Sequence, residues 1–426
     1  MLVEEDFALI QRDTEIPGLS LLLNPDDLRK QMLAKTGLQD PGKLEIEYLR
    51  YKPGQSCIAR YRFQAGDKEQ YAYARAFSIY ARTKLDKARE QVAYAGPLGP
   101  GRITLEKEQI QFSVFPNDLK LRSVGRLEQI QERQNLLTRL FNPRPGWETA
   151  TFSHLNYKPE RRYVARCTNE SGESALIKFY SRTEFSRVRK IQKLLRPGPQ
   201  TRLSELIGGS KVHHALAFSW LPGNMLRQYL GQQQLLEVVA AGTAIAQFHS
   251  QPQLHLKPRA HEHLSLRLLA LAQDLGKVLP ELASLANQLA ANMGQWWVAQ
   301  DDPAIPLHGD FYDKQLIVDG QSVSLIDMDD AHLGHPLIDL ACFIAHLERS
   351  AINHHINPKD IGKISEALIA GYKEITPGLN IQPLGRLIAI SLFQLAHHPF
   401  RDRVPDWPEQ TQILVDRCTT LFGDLS

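Results

Sequence analysis

The sequence predicts an α+β protein in which a β-rich lobe precedes an α-rich lobe, with a degenerate copy of the β-rich lobe in front of both. Two observations predict this architecture: a strand-forming block occurs twice, and the spacing of apolar residues becomes helical after residue 224. A chain of 426 residues is long enough for two or three domains. The predicted units are residues 1–145, residues 146–222 and residues 223–426.

The first observation is an internal repeat with an offset of 106 residues. Residues 49–60 read LRYKPGQSCIAR and residues 155–166 read LNYKPERRYVAR, with six identities in twelve positions. Each block continues through a polar turn into a second apolar run, so both predict strand, turn and strand. A charged, helix-like stretch follows each copy. Because the identities keep one register, we interpret the repeat as a duplication; the alternative is a separate small α+β domain with accidental similarity.

The remaining elements follow from local patterns in chain order. Residues 103–116 alternate apolar and polar side chains, which predicts a hairpin, and residues 122–141 have the composition of a helix. The stretch 142–148, NPRPGWE, has the proline and glycine content of a linker and separates the two copies. Helical spacing then returns in the second half of the chain, at residues 235–250, 262–276 and 281–300.

Composition limits the classes of partner and site. The 50 basic and 47 acidic residues nearly balance, which gives no reason to expect a nucleic-acid or membrane partner. The four cysteines are far apart and form no CxxC pair, so neither a cysteine zinc site nor a disulfide framework is expected. The first residues lack the pattern of a signal peptide, and no run of 18 apolar residues occurs. We therefore expect a cytoplasmic protein, of unknown oligomeric state.

The stretch from residue 305 to residue 345 has the pattern most specific for chemistry. His308-Gly309-Asp310 stands before a polar loop, and Gln315 follows Asp310 by five residues. An apolar run, an Asp-Gly turn and an alternating strand then predict a tight hairpin that ends at Asp327. Phosphoryl transfer needs a carboxylate that orients the substrate hydroxyl, and oxygen ligands for magnesium. Two carboxylates and an amide at these positions supply such groups.

A lysine that contacts nucleotide phosphates is expected on a strand upstream. Lys178 in ALIKFY is flanked by apolar residues on a predicted strand. Because a buried, unpaired ammonium is costly, we expect an acidic partner, either Glu184 or Glu205, with Glu184 ranked slightly higher. A hinge should follow the last strand of the lobe. The segment FSWLPGN fits it, with backbone groups near Trp220 and Leu221 available to an adenine ring.

The order of these elements resembles the aminoglycoside phosphotransferase and choline kinase family, a small-molecule branch of the protein-kinase-like fold. The resemblance rests on IKFY, WLPGN, AGTAIAQFH, LHGDFYDKQL, LIDMDDAHLGHPLIDLA and ALIAGY, which span about residues 155–372. It implies a bilobal protein-kinase-like fold, with ATP and Mg²⁺ as cofactors and a small hydroxylated molecule as substrate.

The resemblance also implies roles for individual residues. Asp310 would be the catalytic aspartate, on a loop that His308 supports. Gln315 and Asp327 would be the magnesium ligands, and Asp339 would be a structural acid that braces the catalytic loop.

Two departures from the family pattern concern the cofactors. The family usually has asparagine where this chain has Gln315, although maltokinase-like members also resemble this chain in having glutamine there. Gln315 keeps the carbonyl ligand and points toward a sugar as the acceptor. The predicted phosphate loop, KPERR at residues 158–162, has no glycine. Arg161, Arg162 or backbone amides would contact phosphate in its place.

These residues predict an ATP- and magnesium-dependent kinase that phosphorylates a hydroxyl of a sugar, an amino alcohol or an aminoglycoside-like molecule. The alternative is a pseudokinase that acts as a nucleotide-binding scaffold, against which the presence of both Asp310 and Asp327 argues. A protein kinase is disfavoured because a GxGxxG loop and an APE-like segment are missing from the sequence. In the first copy Arg75 replaces Lys178, so residues 1–145 are expected to serve packing, capping or substrate shaping.

Several other polar residues are predicted to have no chemical role, or have two alternative roles. Asp313 is interpreted as a solvated loop acid, whereas Asp329 and Asp330 either bind metal or face solvent. The histidine pairs at residues 213–214, 354–355 and 397–398 lack the acidic or cysteine spacing of a metal site, so we expect them to be solvated or to cap helices.

Overall fold

The structure is a computed structural model that describes residues 2–35, 39–196, 202–231, 235–251, 255–300 and 303–423. Two five-stranded antiparallel sheets come first, and a mostly helical part follows them. Within these ranges no helix is both long enough and apolar enough to span a membrane.

The first sheet packs between the N-terminal helices and the second sheet. The elements of this part of the chain are α1 (Glu4–Arg12), α2 (Leu19–Leu23), α3 (Pro25–Lys35), β1 (Glu45–Lys52), β2 (Ser56–Ala65), β3 (Lys68–Phe77), α4 (Arg82–Arg89), β4 (Arg102–Leu105), β5 (Ile110–Val114), α5 (Arg122–Gly125) and α6 (Ile130–Phe141). The strand order in the sheet is β1-β2-β3-β5-β4. Successive side chains of a strand point to opposite faces. Ala72 and Ala74 therefore join the core under the N-terminal helices, while Tyr73 and Phe77 join the core shared with the second sheet.

The second sheet has the strand order β10-β11-β8-β7-β6. The elements of this part of the chain are β6 (Thr151–Lys158), β7 (Arg162–Thr168), β8 (Ser174–Tyr180), α7 (Arg182–Leu194), β9 (Arg202–Leu203), β10 (Leu206–Ser210) and β11 (Ala215–Ser219). Strand β9 does not belong to the second sheet, because it pairs with a hairpin of the helical part. One face of the sheet contributes Tyr157, Ala165 and Phe179 to the core between the two sheets. Lys178 and Arg162 lie on the other face.

The two copies of the repeat form hairpins with corresponding registers from the turn to the third strand. The equivalent pairs are Tyr51–Cys57 and Tyr157–Tyr163, Lys52–Ser56 and Lys158–Arg162, and Ile58–Arg75 and Val164–Lys178. Arg75 of the first sheet and Lys178 of the second sheet thus occupy equivalent positions.

The helical part surrounds two small sheets that present the candidate active site. Its elements are β12 (Asn224–Met225), α8 (Leu236–His249), α9 (His261–Val278), α10 (Ala283–Val298), β13 (Ile305–Leu307), β14 (Leu316–Asp319), β15 (Ser322–Leu325), β16 (His332–Gly334), α11 (Leu337–Ile352), α12 (Ile361–Ile375), α13 (Leu384–Leu395), α14 (His398–Arg401) and α15 (Trp407–Gly423). The small sheets are β12-β14-β15-β9 and β13-β16. Helices α8 and α12 approach closely because Gly371 faces the backbone of Val239, where an added Cβ would lie 1.9 Å from its oxygen.

The N-terminal residues also contact the helical part. Asp6 in α1 accepts hydrogen bonds from both terminal nitrogens of Arg403, at 2.9 and 2.6 Å. The Tyr51 ring in β1 meets the ring of Phe400 in α14 edge-on, with 6.1 Å between centroids. Residues at the start of the chain are therefore held against an element near its end.

Most of the predicted elements are confirmed. The hairpin predicted at residues 103–116 is β4–β5, and the three helices predicted from the apolar spacing are α8, α9 and α10. The helix predicted at residues 122–141 is interrupted, because residues 126–129 separate α5 from α6. All four cysteines are free, as expected.

Candidate active site

The His308–Asp310 loop is held by a single buried carboxylate. Asp339, in the first turn of α11, accepts the backbone N–H of His308 at 2.7 Å and that of Gly309 at 2.9 Å. His249 Nε2 donates to the same carboxylate at 3.0 Å, and Tyr372 supports the other side of the His249 ring. Burial opposes ionisation, but the hydrogen bond and charge of His249 lower the pKa of Asp339 below its usual 3.8. A buried, ionised Asp339 thus fixes the backbone beside Asp310.

Gly309 and His308 shape the same loop. Gly309 has a φ of +80°, and a Cβ there would lie 2.4 Å from the backbone oxygen of Asp330, so only glycine fits. The buried His308 ring donates from Nε2 to the carbonyl of Ile326 at 2.8 Å and accepts the Asp310 N–H at Nδ1, 3.3 Å away. His308 therefore ties the loop to the strand that leads to Asp327.

The hairpin β14–β15 brings Asp327 to the second sheet. Asp327 follows β15 with a left-handed φ of 58°. Its carboxylate accepts Lys178 Nζ at 2.7 Å and two nitrogens of Arg162 at 2.8 and 3.0 Å. Burial alone would raise the pKa of Asp327, but these cations hold it well below 3.8. The structure thus joins two site residues that are 149 positions apart in sequence, Lys178 and Asp327.

The expected pairing of Lys178 with Glu184 or Glu205 is wrong in this structure. Glu184 lies on an exposed part of α7 and pairs with Arg187 at 2.9 Å, and Glu205 is exposed. The buried side chains of α7 are Phe185, Val188 and Gln192, because apolar packing sets which face of the helix turns inward. No acid of α7 therefore reaches Lys178.

Asp329 contacts Lys178 in place of those glutamates. Its carboxylate accepts Lys178 Nζ at 3.2 Å, Arg162 at 2.8 Å and the Tyr180 hydroxyl at 3.0 Å. Gln192 of α7 also donates to it, at 3.3 Å. Asp329 is buried, so it is not a solvent-facing acid. Sequence reasoning left this residue open; the signal was its position two residues after Asp327.

Asp310 and Gln315 lie side by side. Gln315 Nε2 is 3.5 Å from Asp310 Oδ2, and Gln315 is buried. Burial, and then the negative charge of Asp327, raise the pKa of Asp310 above 3.8. In the described residues the Gln315 side chain has no hydrogen bond to Asp327, the other predicted metal ligand.

Two basic residues of the predicted phosphate loop lie close to the acids of the site. Lys158 and Arg162 flank the turn between β6 and β7, and Arg161 between them is exposed. Burial and the nearby charge of Arg162 lower the pKa of Lys158 to about 8, and Asp327 and Asp310 lie close enough to oppose this shift. Lys158 was missed in the sequence because the Lys-Pro pair occurs in both copies and indicated only a shared turn.

The predicted hinge connects the second sheet to the helical part. Trp220 and Leu221 follow β11 directly and are half-buried. The Trp220 ring lies under the Arg166 guanidinium, 4.6 Å from its centroid, and Phe218 lies 5.2 Å from Lys178 Nζ. An open cleft of about 630 Å³ is lined partly by Trp220 and Arg166. A second cleft, of about 330 Å³, lies behind α8 and does not include Asp310.

Two side chains from α11 lie close to Asp310. Asp310, Cys342 and His346 offer potential metal-ligand atoms within 4.8 Å of one another. Burial holds the Cys342 pKa well above 9.0, so this thiol stays protonated and is a poor ligand. His346 stacks on Tyr312 at 4.0 Å. Cys342 and His346 therefore border the loop that carries Asp310.

The charges of four cations act on His346. Because Asp310 beside it is the residue expected to contact the acceptor hydroxyl, we call these four residues the acceptor-side basic cluster: Arg227, Lys314, Arg349 and Arg401. Burial and these four charges lower the pKa of His346 to about 3. Two acids accompany them. Asp402 accepts Arg349 at 2.5 Å and Arg401 at 2.8 Å, and the buried Asp313 lies 3.8 Å from Arg227.

Asp313, His213, His397 and His398 are less exposed than expected, whereas His354 and His355 are exposed, as predicted. Asp313 is buried, not solvated, because the short turn after Asp310 points its side chain inward. His397 and His398 are partly buried beside the basic cluster, and Arg401 contacts His398 at 2.7 Å. His213 is also buried and is hydrogen-bonded to Ser210 at 2.8 Å.

The chain matches the sequence model of the phosphotransferase enzyme family over residues 143–372. Among solved structures it is similar to the amicoumacin kinase hAmiN in complex with AMP-PNP, Ca²⁺ and Ami, with 13% identity, 70% of this chain and 94% of that chain covered, and a TM-score of 0.49. The chain is also similar to choline kinase from Cryptosporidium parvum Iowa II, with 10% identity, 70% of this chain and 95% of that chain covered, and a TM-score of 0.49. For the gentamicin–APH(2")-IIa complex the identity is 12%, the coverage is 64% of this chain and 93% of that chain, and the TM-score is 0.46.

No curated protein matches the chain significantly in sequence. The family match nevertheless covers just over half of the 426 residues and includes the second sheet, the hinge and the loops that hold Asp310 and Asp327. The chain therefore belongs to the phosphotransferase enzyme family and is a kinase-like enzyme with the α+β protein-kinase-like fold of that family.

Proposed function

We propose that this phosphotransferase transfers the γ-phosphoryl group of ATP to a hydroxyl of a small molecule and requires Mg²⁺. The observation that most supports this function is the 2.7 Å contact between Lys178 and Asp327 beside the Asp310 loop. Phosphoryl transfer depends mainly on positioning and charge neutralisation, and a lysine from one lobe and a carboxylate from the other serve both.

Asp310 is the proposed catalytic aspartate. It would accept a hydrogen bond from the acceptor hydroxyl and then the proton of that hydroxyl. The raised pKa of Asp310, caused by burial and by Asp327, makes it a better proton acceptor than an ordinary aspartate. His308 and Asp339 act on it indirectly, by fixing the loop backbone.

The metal and nucleotide would be held by groups from both lobes. Asp327 and the amide oxygen of Gln315 are hard oxygen donors, which fit Mg²⁺. The Mg²⁺ ion would neutralise phosphate charge during transfer. Because Arg162 contacts both oxygens of Asp327, metal binding requires Arg162 to release that carboxylate. Lys178, and the backbone near Trp220 and Leu221, would contact phosphate and adenine.

The three-part organisation remains part of the proposal. Residues 1–145 are a degenerate N-lobe-like unit, residues 146–222 are the kinase-like N-lobe, and residues 223–426 are the C-lobe. The shared hairpin register of the first and second sheets supports the duplication.

Charge around the acceptor side favours a neutral or anionic acceptor, such as a sugar, over choline or an aminoglycoside. The acceptor-side basic cluster contributes four positive charges, whereas Asp313 and Asp402 contribute two negative ones. A cationic acceptor would enter a region of net positive charge next to Asp310, which is electrostatically unfavourable.

A screen for ATP consumption tests this function. Neutral sugars, sugar acids, amino alcohols and aminoglycosides would each be supplied with and without Mg²⁺, and Asp310→Asn would be the matched control. We expect turnover with a sugar-type acceptor that depends on both Mg²⁺ and Asp310. Turnover only with cationic acceptors would contradict the proposed acceptor class, and no turnover with any acceptor would contradict the kinase function.

One observation favours the pseudokinase as a second candidate. Arg162 and Lys178 together engage both oxygens of Asp327, so the carboxylate is neutralised without metal. A pseudokinase would bind ATP equally well with and without Mg²⁺. Calorimetric titration of ATP under both conditions separates the two candidates, since the kinase should bind ATP more tightly with Mg²⁺.

A further inference from the structure

The turn that carries Lys158 and Arg162 has a residue where glycine is expected. The turn closes with a hydrogen bond from Arg161 N to Lys158 O at 3.1 Å, and Glu160 adopts a φ of +59°. The equivalent turn of the first sheet is the same, but Gly54 occupies the corresponding position with a φ of +67°. A non-glycine residue in the left-handed region is strained, so some other interaction must favour Glu160.

That interaction is an ion pair with the first sheet. The Glu160 side chain is fully buried and accepts Arg75 at 2.7 and 3.0 Å and Lys120 at 3.1 Å. Arg50 lies 3.6 Å from the same carboxylate. A carboxylate without solvent is stable only with such partners. All three cations belong to residues 1–145.

The backbone of the turn is held from the same region. Asp118 accepts the Glu160 backbone N–H and the Tyr157 hydroxyl, both at 2.8 Å. Arg60 donates to the carbonyl of Tyr157. Side chain and main chain of the turn are therefore fixed by groups outside the second sheet.

The position of Arg75 in its sheet shows why its ion pair with Glu160 matters. Arg75 is the register equivalent of Lys178, the lysine proposed to contact nucleotide. Instead of facing a nucleotide, Arg75 reaches the loop that carries Lys158 and Arg162, the second of which contacts Asp327. A loop without glycine has less backbone freedom than a glycine-rich one, so contacts with its surroundings have a larger share in setting its position.

We propose that residues 1–145 act as a positioning unit for the nucleotide, with Glu160 and Arg75 as the positioning pair that holds Lys158 and Arg162 toward the phosphates. This inference rests on the proposed function. It extends that function by giving the degenerate first sheet a role in ATP affinity: the ion pair pre-organises the phosphate loop, and binding then loses less conformational entropy.

The test compares Arg75→Met, Glu160→Gly and Arg62→Met in the full-length chain. Glu160→Gly suits the left-handed backbone of the turn and removes the side chain together with its carboxylate. Arg62 is the matched control, since it is an arginine of the same sheet that pairs with Glu45 at 2.6 Å and Glu69 at 3.1 Å, away from the loop. Calorimetry measures the Kd for ATP with Mg²⁺, and thermal unfolding is followed in parallel.

We expect Arg75→Met and Glu160→Gly each to raise the Kd for ATP about tenfold, and Arg62→Met to leave it within about twofold. Arg75→Lys, which keeps the charge, should restore most of the affinity. The Arg75→Met and Glu160→Gly effects should also be non-additive in the double variant. Unchanged ATP affinity in both variants, or equal losses in Arg62→Met, would refute the positioning role. Failure of the unmodified protein to bind ATP would instead refute the proposed function.

Discussion

Asp339→Asn should destabilise the protein by about 3 kcal/mol and slow turnover about hundredfold. The Asp339 carboxylate accepts three hydrogen bonds, from the backbone N–H groups of His308 and Gly309 and from His249 Nε2. Asparagine has one oxygen where aspartate has two. Its amide nitrogen must therefore face at least one of these N–H donors, and that donor is left without a partner.

The magnitude follows from those three bonds. One buried donor without a partner costs about 1–3 kcal/mol, and loss of the negative charge weakens each remaining bond by about 1 kcal/mol. These terms sum to about 3–5 kcal/mol, and the lower end of about 3 kcal/mol already lowers the ratio of folded to unfolded protein about hundredfold. If the Gly309 backbone moves as a result, Asp310 moves with it, and a displacement of about 1 Å at a reacting group costs about hundredfold in rate.

The assay combines urea unfolding with steady-state kinetics on the best acceptor from the ATP-consumption screen. Tyr372→Phe is the matched control, because it removes only the hydroxyl that contacts His249 Nδ1 at 2.9 Å and should cost about 1 kcal/mol. A free energy of unfolding within 0.5 kcal/mol of the unmodified protein, with unchanged kcat, would show that Asp339 does not hold the loop.

Three further results are expected. Asp310→Asn should abolish turnover while the thermal unfolding temperature and ATP affinity, measured by calorimetry, stay nearly unchanged; turnover within a few-fold of the original would contradict the role of Asp310. Asp327→Ala should reduce the Mg²⁺ dependence of ATP binding more than Gln315→Ala, because a carboxylate binds a hard cation more strongly than an amide does, and the opposite order would reverse their roles. Burial lowers the pKa of His397 from 6.5 to about 4, so the unfolded chain binds more protons and the free energy of unfolding should decrease as pH falls from 6.5 to 4. His397→Asn should flatten this pH dependence in urea titrations, and an unchanged slope would exclude His397 as its source.

The parts of the fold and site that depend on short-range patterns could be predicted from the sequence. The hairpin that delivers Asp327 is local, since an Asp-Gly turn between two apolar runs determines both its strands. The helices after residue 235 were predictable because their apolar faces repeat at helical spacing. The repeat likewise predicted the equivalence of Arg75 and Lys178.

The residues that were missed depend on long-range packing. The partner of Lys178 could not be chosen correctly, because the rotation of α7 follows from the burial of Phe185 and Val188, and a glutamate near in sequence can face solvent. Glu160 has no local signal either. Its cationic partners lie 40 or more positions away along the chain, and only the packing of two sheets brings them together.

The contacts of the first 145 residues have a mechanical consequence. They hold the phosphate loop of the second sheet through Glu160 and hold the helical part through Asp6 and Arg403. A hinge rotation that widens the gap between sheet and helices must therefore stretch one of these attachments. The N-terminal region acts as a brace between the second sheet and the helical part. The release rate of the product nucleotide should therefore depend on how often the contacts of this region break. Hydrogen exchange in α1 would report that event directly.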